Sequence, residues 1–343
     1  MRALQLADFG RMAVIELPEP TAGAGEVILE IVATGICGSD VHGFTGENGR
    51  RVIGQVMGHE SVGRVISLGE GVDPTAVPVG AVATFNPVLI TAERRERFAG
   101  REQHDPERII IGVDTERISA FAHRIVVPVE NIVLLPEHMP ISYGALIEPF
   151  AVGLNAVRRA RVAPGESVLV VGGGPIGQSA VLAALREGAG KVYVSEPFGA
   201  RRELCASLGA IAIDPRKDPV IDQIVALNGG PVDVAIDAVG ISESLEDALG
   251  ATVFGGRVCL VGMGQPGLTI DAYLVSTAER SIIGSFCYSF DTFATAAAIV
   301  GGGDEVFGRL ISAEVGLDDA PATFERLAAA MDMPGKALVR FDL

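Results

Sequence analysis

The first 90 residues alternate short apolar runs with glycine and proline clusters, as in VILEIVATGI (27–36) and SVGRVISLG (61–69). Short β-type runs bounded by turn formers predict a small, mostly β domain. From about Gly165 the pattern changes. Between Ser167 and Ile213 the segments SVLVV, IGQSAVLAALREG, KVYVSEP, RRELCASLG and AIAI read strand, helix, strand, helix, strand. Such alternation requires parallel strands joined by crossover helices. Three later runs, VDVAIDAV (232–239), GGRVCLVGM (255–263) and RSIIGSF (280–286), extend that sheet. The expected fold class is α/β, in two domains, because 343 residues exceed what a single core usually supports. The charged stretch ERRERFAGREQHDPER (93–108) interrupts the β texture and reads as a solvated loop.

Charge and composition narrow the partners. A net charge of −16, with no local concentration of Lys and Arg, repels phosphate backbones and anionic lipid, so neither nucleic acid nor membrane is expected. The start MRALQLADFG has no cationic segment followed by an apolar stretch and is not expected to be a signal peptide. The most lipid-like run, Ser167 to Leu185, is broken in its middle by three glycines and a proline, which makes it a poor membrane span. Cysteines at 37, 205, 259 and 287 show no framework spacing, which fits a reducing, cytoplasmic location. Cys205 and Cys259 sit in apolar patterns and read as packing residues.

Two constellations carry chemistry. In VLVVGGGPIG, Gly172, Gly174 and Gly177 have G-x-G-x-x-G spacing after a strand, and Pro175 and Ile176 open the helix that follows. Glycine permits the turn and lets a pyrophosphate approach the backbone, while the helix start offers unpaired N–H groups. Glu196, 19 residues beyond Gly177, ends the next strand and suits a ribose diol. Its carboxylate would repel a 2′-phosphate, favouring NAD over NADP; Arg201 and Arg202, close by in sequence, pull the other way. The second constellation is ICGSDVH (36–42) with GHES (58–61). A Cys37 thiolate and a His59 imidazole are good zinc ligands, although their separation alone does not say that they meet.

The segments GICGSDVH, MGHESVGRV, SAFAHRIVVP, IEPFAVGLNAV, VVGGGPIG, VSEPFGARR and PGKALVRF, in this order along nearly the whole chain, resemble the medium-chain zinc-dependent alcohol dehydrogenases, most closely their polyol branch of sorbitol, butanediol and threonine dehydrogenases. The resemblance implies a GroES-like catalytic domain (residues 1–149 and 287–343) and a Rossmann domain (150–286), with the active site in the cleft. It implies Cys37 and His59 as ligands of one catalytic Zn2+. The third protein ligand is commonly a glutamate in the polyol branch, and here Glu60 and Glu148 compete for it; a helix N-terminal charge is the alternative for Glu148, and the resemblance favours the metal shell for both, one direct and one through water or exchange. Ser39 is implied as acceptor of the alcohol proton, passed through the cofactor's ribose hydroxyl to His42 and so to solvent, and Asp40 as the partner that orients His59. The expected reaction is hydride transfer from a secondary alcohol (polyol, vicinal diol or sugar) to NAD, releasing a ketone or aldehyde. A threonine or sugar dehydrogenase, or a catalytically silent nucleotide-binding protein, is the alternative.

The chain also departs from this pattern. Many relatives hold a second, structural zinc on four cysteines; alignment on Pro87 and Gly100 places Thr91, Arg94, Arg97 and Asp105 at those positions. No structural zinc is expected, and Arg94 or Arg97 is expected to pair with Asp105 instead. In the loop from Gly43 to Gly54, Arg50 and Arg51 read as a solvated turn or, alternatively, as a greeting for an anionic substrate. An exposed edge strand at Ile282–Phe286 is expected to pair across a twofold axis, giving a homodimer or homotetramer.

Overall fold

The computed structural model describes residues 1–47, 49–329 and 333–343. Of the loop 43–54, Asn48 lies outside the described residues. The chain divides into two compact units, Met1–Glu148 with Ser289–Leu343, and Pro149–Tyr288.

The first unit is built on a seven-stranded sheet. Its central strand, Glu26–Gly35, lies antiparallel to Glu60–Leu68 on one side and to Lys336–Arg340 on the other, and also pairs with Arg124–Pro128. Ile311–Gly316 runs parallel to Lys336–Arg340, so the last strand of the chain is interior to the sheet. Val27, Leu29 and Ile31 point together into one core with Val65, Ala83, Phe85 and Ile125, as the two-residue repeat of a strand requires. The hairpin Arg2–Asp8/Arg11–Glu16 closes a second core in which Leu4 and Leu6 meet Phe44, Phe121 and Phe324.

The second unit contains a six-stranded, wholly parallel sheet. In spatial order its strands are Ile211–Ile213, Lys191–Ser195, Ser167–Val171, Val232–Asp237, Thr252–Leu260 and Ser281–Gly284. Numbered along the chain, that order is 3-2-1-4-5-6, the doubly wound arrangement that carries dinucleotides at the carboxyl ends of its strands. Ser167–Val171 and Val232–Asp237 are buried almost throughout, which explains why they read as continuous apolar runs and not as alternation. No helix among the described residues is long and apolar enough to cross a membrane.

Residues 93–108 differ from the solvated loop read in the sequence. A six-residue helix, Ala92–Arg97, opens the segment, and Asp105 within it is fully buried. Glu102 is buried as well, whereas Glu93, Glu96, Arg97, Arg101 and Glu107 face water as the sequence reading expects.

Candidate functional site

Register brings the separated ligand candidates together. Cys37 lies two residues past the end of Glu26–Gly35, and His59 lies one residue before Glu60–Leu68. These strands are antiparallel with Gly35 opposite Glu60, so the exit of one and the entry of the other share an edge. The next strand adds Lys336 at the same place, since Ile36 N–H donates to the Ala337 carbonyl (2.9 Å). A thiol, an imidazole, a carboxylate and an ammonium thereby converge from three strand ends. Ligand atoms of Cys37, His59 and Glu60 all lie within 4.8 Å of one another.

Cys37 is also the N-cap of the helix Gly38–Thr45, so ICGSDVH is a strand exit followed by a helical turn. Asp40, in that turn, accepts from the Cys37 N–H through Oδ2 (3.1 Å). Its Oδ1 faces His59 Nδ1 at 3.9 Å and Arg51 Nη2 at 3.8 Å, without a hydrogen-bond partner. Asp40 therefore touches both ligand candidates. Gly112, at φ +85°, closes the remaining side of the imidazole: a Cβ there would stand 2.9 Å from His59 Nδ1. With a carboxylate and a backbone wall on the Nδ1 side, the proton is favoured on Nδ1 and the Nε2 lone pair is left to bind a metal.

Electrostatics test whether a metal fits. Burial opposes a charged imidazole, but Asp40, Cys37 and Glu148 outweigh it and push His59 up to about 10. The same holds for Lys336: burial disfavours its ammonium, yet Glu60, Cys37 and Glu148 hold its pKa above the ordinary lysine value. Lys336 Nζ donates to Glu60 Oε1 (2.7 Å), while the buried Glu60 Oε2 has no hydrogen-bond partner. For Asp40, burial raises the pKa and the charges of His59 and Arg51 work against that rise. Four acidic groups, Cys37, Asp40, Glu60 and Glu148, meet three basic ones, His59, Arg51 and Lys336, in this place. Sulfur, nitrogen and carboxylate oxygen within one another's reach form a donor set that suits Zn2+.

The two glutamates are not equivalent. Glu60 stands in the three-ligand cluster, whereas Glu148 is buried in the first turn of the helix Ile147–Arg159, within electrostatic reach of His59 and Lys336. Ser39 is half-buried, in the first turn of Gly38–Thr45. His42, exposed on the last turn, has Nδ1 3.2 Å from Glu47 Oε2, a partner the sequence did not flag. Lys336 and Arg51 escaped sequence reading as well. The one available signal for Lys336 was a lysine heading an otherwise apolar strand. Arg51 is buried, against both readings of the Arg50–Arg51 pair: it faces Asp40, not water or substrate, while Arg50 is exposed.

At the four positions aligned with the missing cysteines, Arg94 Nε donates to both oxygens of Asp105 (2.9 and 2.7 Å) and Nη1 donates to Glu107 (2.9 Å). Arg97 instead lies over the Phe98 ring, and Thr91 caps the short helix. Of the two arginines, Arg94 is the partner.

In the parallel sheet the glycine motif occupies the strand-to-helix turn. Gly174 is the N-cap of the helix Pro175–Arg186, with Ile176 in its first turn, and a Cβ on Gly174 would meet nothing within 4 Å. A Cβ on Gly177 would stand 1.8 Å from the Gly172 carbonyl, so only glycine lets helix and strand close to this distance. Glu196, just past Lys191–Ser195, accepts from the N–H groups of Gly173 (2.8 Å) and Phe198 (2.9 Å). Arg201 stacks over Phe198, and Arg202 is bound to Asp214. Open space before a helix N-terminus, with an acid beside it, fits a dinucleotide.

Comparison with known proteins agrees with this geometry. Residues 23–137 match the alcohol dehydrogenase GroES-like domain, and residues 175–301 match the zinc-binding dehydrogenase domain. L-threonine 3-dehydrogenase of Pyrococcus horikoshii is 34% identical over 263 residues, covering 75% of this chain and 74% of that one. The crystal structure of 2R,3R-butanediol dehydrogenase from Bacillus subtilis superposes with a TM-score of 0.89 at 28% identity over 99% of both chains. A zinc-binding dehydrogenase structure from Sinorhizobium meliloti 1021, bound to NADP, gives 0.87 at 28% identity over 99% of both chains.

Proposed function

Because this chain belongs to the medium-chain zinc-dependent alcohol dehydrogenases, in their polyol branch, we propose that it oxidises a secondary alcohol of a polyol, vicinal diol or sugar, with NAD as hydride acceptor and one Zn2+ per chain. The observation that carries this reading is the convergence of Cys37, His59 and Glu60, whose ligand atoms lie within 4.8 Å of one another, with the buried Glu60 Oε2 left without a hydrogen-bond partner. Cys37, His59 and one glutamate would hold the metal. Glu60 is the better placed of the two carboxylates, with Glu148 able to exchange for it.

Bound Zn2+ supplies a Lewis acid that makes an alcohol oxygen acidic near neutral pH, and NAD supplies the hydride acceptor. The chain's own groups do the rest. Asp40 fixes the imidazole of His59 and the amide of Cys37, so both ligands are aimed before any metal arrives. Ser39 takes the alcohol proton. His42 stands three residues further along the same helix, and its exposed imidazole returns the proton to solvent. Gly172, Gly174 and Gly177 bring backbone up to the pyrophosphate, Pro175 and Ile176 start the helix that faces it, and Glu196 binds the ribose diol.

NAD is favoured over NADP because Glu196 is an acid and the nearby Arg202 is already engaged by Asp214. One zinc per chain is favoured because Arg94 and Asp105 satisfy each other where relatives place cysteines. The edge strand Ser281–Gly284, with Phe254 and Tyr273 also exposed, is the favoured surface for a homodimer or homotetramer. Four free cysteines favour the cytoplasm. Likeness to threonine dehydrogenases makes L-threonine the first competing substrate. NAD reduction screened across polyols, vicinal diols, sugars and threonine, with and without a chelator, tests the reading. Turnover that survives complete zinc removal, or no turnover with any alcohol, would overturn it.

A further inference from the structure

The corner beside Glu196 holds more charge than ribose binding requires. Lys191–Ser195 and Ile211–Ile213 are parallel neighbours with Ser195 opposite Ile213, and each strand is followed at once by an acid, Glu196 and Asp214. Both are buried, side by side at the carboxyl edge of the sheet, where this fold holds the nucleotide. Two arginines, Arg202 and Arg216, pair with Asp214, and a third, Arg201, lies over the ring of the nearby Phe198. Guanidinium groups at this corner are what a 2′-phosphate seeks, because they bind phosphate oxygens in pairs.

Asp214 answers two of them. Its Oδ1 accepts from Arg216 Nε (3.1 Å) and from the Arg216 N–H (3.1 Å), and its Oδ2 accepts from Arg216 Nη2 (3.2 Å) and pairs with Arg202 Nη2 (3.1 Å). Arg202 Nη1 donates to the main-chain carbonyls of Glu196 (2.8 Å) and Pro197 (2.6 Å), so this guanidinium is largely engaged within the fold, whereas Arg216 is exposed and is held by Asp214. Glu196 takes a different part, accepting from the backbone at Gly173 and Phe198.

We propose that Asp214 determines nucleotide specificity: by holding Arg202 and Arg216 it withholds from a 2′-phosphate two guanidinium groups at the ribose corner. The inference rests on the dinucleotide reading above. Glu196 acts on the ribose itself, whereas Asp214 acts through the arginines. A chain with this arginine content, lacking Asp214, would present a phosphate-binding corner.

The test titrates NADH and NADPH by fluorescence and measures kcat/KM for both nucleotides, in the full-length protein and in Asp214→Asn. The ratio of NADPH to NADH affinity should rise about tenfold or more in the variant, the scale of one charge-assisted contact to phosphate. Asp214→Glu, which keeps the charge, should stay near the parent ratio. Returning both arginines to neutrality in the triple variant D214N/R202Q/R216Q should abolish the gain. An unchanged ratio in D214N that still binds NADH overturns the proposal, and so does a gain that survives loss of both arginines. Should D214N fail to fold, R202Q/R216Q in the otherwise unaltered chain replaces it: a fall in NADPH affinity of about tenfold there means the arginines already serve a phosphate, and overturns the proposal, while an unmoved ratio supports it. If the parent protein binds neither nucleotide, the dinucleotide reading fails, and that outcome is separate from all of these.

Discussion

Two regions of the first unit are built from buried charge and resolve it in opposite ways. Around Cys37, His59 and Glu60, three buried atoms, Asp40 Oδ1, His59 Nδ1 and Glu60 Oε2, are left without hydrogen-bond partners. The Asp105 carboxylate is satisfied: Arg94 grips both of its oxygens, and the Glu107 N–H adds a further bond. An unsatisfied buried polar atom costs about 1–3 kcal/mol, so a fold that keeps several together in one pocket is compensated when something binds there. The Asp105 carboxylate has no such unmet demand. On the function proposed above, the first region would hold the metal, and the Arg94–Asp105 pair would stand where relatives are expected to place a second one.

The largest expected effect breaks the first region. Cys37→Ser should take bound zinc from one per chain to near zero and lower turnover by at least about a thousandfold, since a Lewis-acid metal contributes several kcal/mol to such a reaction. NADH binding should persist, because the glycine motif lies in the other unit. Retained turnover together with retained zinc would remove Cys37 from the metal shell. Next in size is Lys336→Met, which strands Glu60 as a buried charge. Removing one member of a buried pair costs about 3–5 kcal/mol, readable as a loss of stability in urea unfolding of the metal-free protein, and the loss should shrink when Zn2+ is added. Equal stability of metal-free K336M and parent would mean that Lys336 does not neutralise Glu60.

Smaller effects sharpen the second region. Arg94→Gln should leave zinc content at one and speed proteolysis within residues 92–108; a fall in zinc content would tie this segment to metal after all. Acid should do the same by titration. Hydrogen bonds from Arg94 hold the Asp105 carboxyl below its ordinary value of 3.8. The pair's contribution is therefore complete above that value and is lost as the pH falls through the lower folded-state pKa. Protection against amide exchange across Glu102–Glu107, taken relative to the intrinsic rate at each pH, should fall in the parent as the pH drops from 5 to 3 and change less in R94Q.

What the sequence disclosed followed from local rules. A glycine spacing with its strand, helix and acid is written within 25 residues, 172 to 196, and the structure places those parts at one strand-to-helix turn. Cys37 and His59 were legible as types but not as neighbours, because their meeting depends on Gly35 standing opposite Glu60, and register is a property of two strands at once. Lys336 and Arg51 were invisible for a related reason. Each is a charge whose partner, Glu60 or Asp40, is chosen by tertiary packing. The pairing of Asp105 with an arginine at 94 or 97 was legible, and only its full burial inside a charged stretch was not.

The position of the last strand has a consequence for biosynthesis. Lys336 follows Glu60 by 276 residues and sits in Lys336–Arg340, interior to the sheet. On the ribosome, the thiol, imidazole and carboxylate emerge long before the ammonium that will neutralise one of them. A nascent chain can gather its ligands early, but the pocket reaches its final balance only after Lys336 has been made.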